Sequence, residues 1–218
     1  MNTEAAYSFL KKLKKNNNKP WFDAHRPEFE IIRIEFEEFV QDLIFKLSLS
    51  EPSLTGLTPK ECIFRLYRDI RFSKDKTPYK THLSAFIAPG GRKTSKAGYY
   101  FHLEPGGSML GGGIYMPPSE PLQMIRKAID REPEEFVGIV TDRSFKKMFG
   151  ELEGDQSKKI PKGFSADHPY GEWLKYKSYF AMYRLSDKEA LSPRLSSIVI
   201  KISERMRPLC EFLNHAVS

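Results

Sequence analysis

The chain reads as an α+β protein, a single domain over residues 1–218, with a mostly antiparallel sheet of about five strands between helices from both termini. Three observations predict this. Apolar residues recur at spacings of three and four before residue 48 and again beyond residue 119, as amphipathic helices require. Between 61 and 116 the period falls to two, the repeat of a half-buried strand. The links PGGRKTSKAG and PGG in that region are turn chemistry, which joins antiparallel neighbours.

Taken in order, residues 3–15 predict a helix capped by Thr3, with Ala6, Leu10 and Leu13 on one face, ended by NNNKP. A longer helix over 26–48 sets Phe29, Ile32, Phe36, Val40, Leu43 and Leu47 on one stripe. Trp21 and Phe22 fall between the two, where large rings pack helices together. SLSEPSLTGLTP is a loop. ECIFRLYRDIRF (61–72) then predicts the first strand. Its even positions Phe64, Leu66, Ile70 and Phe72 face the core, and its odd positions Arg65, Tyr67, Asp69 and Arg71 form a polar face. Further strands fall at 83–88, 99–104 and 108–116. The GGG at 111–113 lacks the pattern of a phosphate-binding loop and marks a bulge or a close approach of a ligand or another backbone. Helices return with Ser119, Leu122, Ile125 and Ile129, then with Pro133, Phe136, Val137 and Val140. Residues 142–165 are loop-rich, and Asp167 is placed to cap a short helix through Trp173. SYFAMYRL (178–185) is a late strand, and Ser186 with Glu189 forms a capping box. The last helix starts at Ser192-Pro193, carries Leu195, Val199, Ile202, Met206, Leu209 and Leu213, and should kink at Pro208.

Composition narrows the function classes. Hydrophobic residues are 40 % and aromatics 13 %, enough for a packed core, so wholesale disorder is not expected. Two cysteines without metal-type spacing argue against a disulfide framework and for a reducing compartment. No signal-peptide pattern opens the chain and no apolar run is long enough to span a membrane, so the cytoplasm is the expected location. The net charge of +7 is concentrated: residues 65–96 hold nine basic side chains and two acids, and the remainder is balanced. A localised excess points to an anionic partner.

The densest part of that excess is RLYRDIRFSKDKTPYKTH, Arg65 to His82. Arginines cannot shed their charge, and they present forked donors that match phosphate and carboxylate. Grouped arginines need anions among them. Asp69 and Asp75 are the internal counter-ions, and an external anion held by Arg65, Arg68, Arg71, Lys76, Tyr79 and Lys80 would supply the rest. On a strand, Asp69 would share a face with Arg65 and Arg71. His82 and His102 can approach across neighbouring strands, with Glu104 on the face of His102, and are the candidates for acid–base chemistry. More often a strand histidine satisfies a local hydrogen bond. No H-x-H, H-E-x-x-H or cysteine pair occurs, so spacing indicates neither a metal nor a cofactor. Ser73-Lys-Asp-Lys76 fits a serine–lysine pattern but lacks the further motifs that chemistry needs.

This stretch resembles the hallmark of an uncharacterised, mainly bacterial family, domain-of-unknown-function family 2461, with the pattern R-x-x-R-D-x-R-F-x-x-D-K-x-P-Y-K-x-N. Arg65, Arg68, Asp69, Arg71, Phe72, Asp75, Lys76, Pro78, Tyr79 and Lys80 match it, and His82 stands in place of the final Asn. The opening FLKKLKKNNNKPWFDAHRPEFE and the later PKGF and LKYKSY are also similar to the family. The resemblance implies a full-length, single-domain member and no particular activity. Three functions remain open: a pocket for a small phosphorylated or carboxylated ligand, with or without catalysis; a nucleic-acid-binding module with Tyr67, Tyr99 and Tyr100 as stacking residues; and a protein-interaction domain whose Arg–Asp network is structural.

Overall fold

The computed structural model describes residues 1–218. One antiparallel sheet of four strands, in the order β1-β2-β3-β4, is accompanied by ten α-helices. The strands are β1 (Leu83–Ile87), β2 (Gly98–Leu103), β3 (Met109–Ile114) and β4 (Tyr179–Arg184). The helices are α1 (Thr3–Lys15), α2 (Lys19–Ala24), α3 (Arg26–Ser48), α4 (Pro59–Cys62), α5 (Ser119–Arg131), α6 (Pro133–Thr141), α7 (Arg143–Phe149), α8 (Gly171–Leu174), α9 (Asp187–Ala190) and α10 (Leu195–Ala216). No helix is long and apolar enough to cross a membrane. By contact density the chain divides into two units. The first comprises Met1–Lys93, Tyr100–Leu110 and Arg184–Ile200, and the second Thr94–Tyr99, Gly111–Tyr183 and Lys201–Ser218.

In the first unit the helix α1 is capped by Asn2 rather than by Thr3: the Asn2 side chain accepts from the Ala5 amide at 3.0 Å. The NNN tract gives each asparagine a different task. Asn16 closes α1, its side-chain amide donating to the Lys12 carbonyl at 3.0 Å. Asn18 caps α2, accepting from the Trp21 amide at 3.0 Å. Asn17 grips the backbone of Tyr79 by both groups: Nδ2 donates to the carbonyl at 2.9 Å and Oδ1 accepts from the amide at 3.1 Å. The short α2 was not expected from the sequence. Pro20 starts it without losing a helical hydrogen bond, and it carries the buried Phe22 against Phe9, Phe29 and Tyr79. The stripe of α3 is buried as its period predicts.

The first expected strand is the main correction, and it leaves the sheet at four strands rather than five. Residues 59–62 are α4, held by a capping box between Thr58 and Glu61. From Ile63 to Lys80 the chain makes an irregular hairpin whose ladder is reduced to an isolated bridge, Tyr67 to Tyr79, and Ile63 meets β1 through another, to Ala85. Leu66 is buried as expected, whereas Phe72 is 95 % exposed. The physical reason lies in the side chains. Asp69 accepts from the Arg71 amide at 3.3 Å and Asp75 from the Thr77 amide at 2.9 Å. Such local turns satisfy backbone donors that a strand would offer to a neighbour. Pro78 has no amide to offer at all.

The second unit explains GGG. A Cβ on Gly112 would lie 2.5 Å from the Met206 sulfur, and one on Gly113, whose φ is 131°, would lie 2.2 Å from the Tyr179 carbonyl oxygen. The glycines therefore admit a close approach of neighbouring chain, one of the two alternatives the sequence left open. Around them Phe136 meets Trp173, Tyr179 and Phe212. The Tyr179 hydroxyl donates to the Trp173 carbonyl at 2.9 Å, and Arg126 Nη2 to the Tyr176 carbonyl at 3.0 Å. Helix α7 lies in the stretch expected to be loop and is nucleated by Asp142, which accepts from the amides of Ser144 and Phe145 at 2.8 and 3.0 Å. The short helix expected from Asp167 begins only at Gly171. Both cysteines are buried and neither is in a disulfide, Cys62 in the first unit and Cys210 in the second, and burial pushes the Cys62 thiol up to about 11.

Candidate functional site

The basic hairpin, His82, His102 and Glu104 all lie in the first unit. His82 immediately precedes β1. His102 lies in β2 and Glu104 just beyond its end, two residues apart and so on one face. Strands β1 and β2 are neighbours, which brings the two imidazoles into a stack with ring centroids 4.1 Å apart and planes 29° from parallel. The His102 side chain is only 8 % exposed, and Nε2 faces Glu104 Oε2 at 3.2 Å. With the carboxylate as acceptor, Nε2 carries the proton, and Nδ1 accepts from the Tyr100 hydroxyl at 3.0 Å. Thr81 Oγ1 donates to the second Glu104 oxygen at 2.9 Å. The Glu104 backbone is fixed as well: its amide donates to Ser108 Oγ at 3.0 Å, Ser108 Oγ lies 2.9 Å from its carbonyl, and the Tyr7 hydroxyl meets the same Ser108 oxygen at 2.7 Å.

Charge states follow from these surroundings. Burial, then the neighbouring His102 and Lys80, takes His82 down to about 4, so it is neutral at neutral pH. Burial lowers His102 too, against the opposing pull of Glu104. Burial works against ionisation of Glu104, yet the hydrogen bonds from His102 and Thr81 outweigh it and hold the carboxyl below the usual range. Two neutral imidazoles and an ionised carboxylate can pass a proton or ligate a cation. Ligating atoms of His82, His102 and Glu104 all lie within 4.8 Å of one another.

The basic hairpin is mostly satisfied within itself. Arg68 pairs with Asp75 and with Thr77 Oγ1. Arg71 grips Asp69 with two donors, Nε to Oδ1 at 3.0 Å and Nη2 to Oδ2 at 2.7 Å. The Lys76 ammonium donates to the Ile70 carbonyl at 3.0 Å. Tyr79 is 3 % exposed and stacks on Phe22 with centroids 4.2 Å apart. Asp69 thus serves a single arginine at the surface rather than bridging two on a strand face. Arg65 and Lys80 are different. Neither has a carboxylate within ion-pair distance, and Lys80 is half-buried with its ammonium 5.3 Å from the Phe64 ring centroid. Burial, then the nearby Arg65, lowers the Lys80 pKa.

His25 and His168 are occupied locally: His25 Nδ1 meets the Trp21 carbonyl at 2.8 Å, and His168 Nε2 meets Asp130 at 2.8 Å. Sequence reasoning missed Thr81, Tyr100 and Ser108 as supports of the cluster. The alternation Tyr100-x-His102-x-Glu104 on a strand was the available signal for one of them.

A family model described as "Conserved hypothetical protein (DUF2461)" matches residues 5–212. The chain belongs to this family. No curated protein and no solved structure matches it. The family's description assigns no chemistry, so a functional reading rests on the geometry of these side chains.

Proposed function

We propose that the protein binds a small phosphorylated or carboxylated anion between Arg65 and Lys80. The observation that carries this reading is the half-buried Lys80 beside Arg65, two neighbouring cations without a carboxylate of their own. Burial disfavours an ammonium and a like charge beside it disfavours it further; an anion between them reverses both effects. Arg68 and Arg71, already neutralised by Asp75 and Asp69, frame the site rather than hold the ligand.

The test is a melting series with inorganic phosphate and small carboxylates. The parent should gain stability with added anion, as any ligand of the folded state produces. Lys80→Met should lose that gain, and Lys93→Ala, in the same basic stretch, should keep it. A gain that survives Lys80→Met would overturn the reading. One observation favours nucleic acid as a second reading: Phe72 stands in solvent beside Arg71, whose guanidinium lies 5.9 Å from its ring centroid. Of the tyrosines considered for stacking, Tyr99 is buried and Tyr100 holds His102, which leaves Tyr67. Binding of a single-stranded oligonucleotide that falls steeply with salt and is lost in Phe72→Ser would favour that alternative.

A further inference from the structure

We propose that His82, His102 and Glu104 form a three-ligand site for a divalent transition-metal ion of the zinc class, with a fourth position left for water or a ligand atom. Two imidazoles and a carboxylate are the donor set that suits zinc and its neighbours, not calcium or magnesium. The separation of His102 Nε2 and Glu104 Oε2, 3.2 Å, is already close to the edge of a tetrahedron around zinc, where ligands at ~2.0–2.1 Å lie ~3.4 Å apart. The third donor comes from His82, whose ring lies against that of His102, within the 4.8 Å that contains all three ligating atoms. A small rotation of the His82 ring, which stands at a strand's start rather than inside it, closes the triangle.

The surroundings are those that a metal site needs beyond its ligands. A ligating histidine is oriented by a partner on its other nitrogen, and a ligating carboxylate by a donor to its free oxygen. Tyr100 meets His102 Nδ1 at 3.0 Å, and Thr81 donates to Glu104 Oε1 at 2.9 Å. An ion takes the place of the proton on Nε2. The imidazole stays neutral by carrying its proton on Nδ1 and donating it to the Tyr100 oxygen, and the Tyr100 hydroxyl turns to its other neighbour, Ser84. Ser108 pins the Glu104 backbone through both of its polar groups. Three side chains, Tyr100, Thr81 and Ser108, thus hold two of the three ligands, His102 and Glu104, in place.

The inference does not depend on the anion reading, because metal uptake is measured without any anionic ligand. The experiment is titration of the chelator-treated full-length protein with zinc, by calorimetry, and with cobalt, by visible absorption. We expect one ion per chain at micromolar affinity or tighter, the intense visible bands of four-coordinate cobalt, and no uptake of magnesium. His82→Asn and Glu104→Gln should each weaken zinc binding at least tenfold. Tyr100→Phe should weaken it ~10-fold through the loss of orientation alone, and His168→Asn should leave it unchanged. Failure of the parent to take up one equivalent, or uptake unaltered in both ligand variants, overturns the proposal. The parent titration decides the first point even where a variant does not fold.

Discussion

Asn17 does with one side chain what a neighbouring strand does with its backbone. It returns both hydrogen bonds to Tyr79, a residue buried at 3 % exposure in the aromatic cluster of Phe22. Asn17→Ala leaves an amide and a carbonyl without their partners, and the expected cost is ~1–3 kcal/mol of unfolding free energy, read from the denaturant midpoint. Asp69→Asn should behave oppositely: its pair with Arg71 stands at the surface, so the variant should melt as the parent does. Asp75 lends itself to a titration. The Thr77 amide above all, then Arg68 and the Thr77 hydroxyl, hold its carboxyl down at about 2. The folded value is lower than the unfolded one of about 3.9, so the carboxylate supports the hairpin above that pH and the support is lost as the pH falls towards 2. The Thr77 amide chemical shift should therefore titrate near 2; a midpoint at the ordinary aspartate value would show that the contact does not form. None of these partnerships was legible beforehand for Asn17, because a run of three asparagines carries no periodicity and its target is 62 residues away. The approach of His82 to His102 was legible, because the turn-rich link PGGRKTSKAG makes β1 and β2 neighbours and strand alternation sets which side chains share a face.

At the scale of elements, the long helices followed their apolar stripes, with the bounds of α1 and α3 met to the residue, whereas the short α2, α4 and α7 went unread. The period-two reading succeeded where hydrophobic positions on both faces were buried, as in β2, and failed over 61–72. There the alternation was that of charge, and local Asp side chains captured the backbone first. An alternation pattern reports which side chains differ, not whether a neighbour is present to pair. Glycines show the same dependence on context, with opposite signs at two positions. Gly113→Ala would force a Cβ to 2.2 Å from the Tyr179 carbonyl oxygen at a φ of 131°, and should destabilise by ~3 kcal/mol or more. Gly138 sits exposed in α6 with nothing within 4 Å of an added Cβ, and Gly138→Ala should stabilise by ~0.5–1 kcal/mol. Thermal melts of the two variants beside the parent check both; a tolerated Gly113→Ala would mean that β3 and β4 do not approach as described.

For the whole molecule, β2, β3 and α10 each contribute residues to both units, so the covalent course of the chain passes repeatedly from one to the other. We propose that the units unfold together as one domain. The two tryptophans make this testable, since Trp21 belongs to the first unit and Trp173 to the second. Trp21→Phe and Trp173→Phe each leave one reporter, and the fluorescence midpoints of the two variants, each referred to its own circular-dichroism midpoint, should coincide. Separate fluorescence transitions would mean two independently stable parts. The exposed hairpin between Asp69 and Lys76 has a further consequence. A protease specific for basic residues has accessible bonds there, and a cut after the exposed Arg71 divides the chain within the first unit. One fragment would carry Phe22 and Asn17, the other Tyr79 and β1, so each would hold half of the same aromatic cluster. The hairpin is thus a natural seam for a split protein: separately made fragments, mixed together, should dock through that cluster and reconstitute the fold.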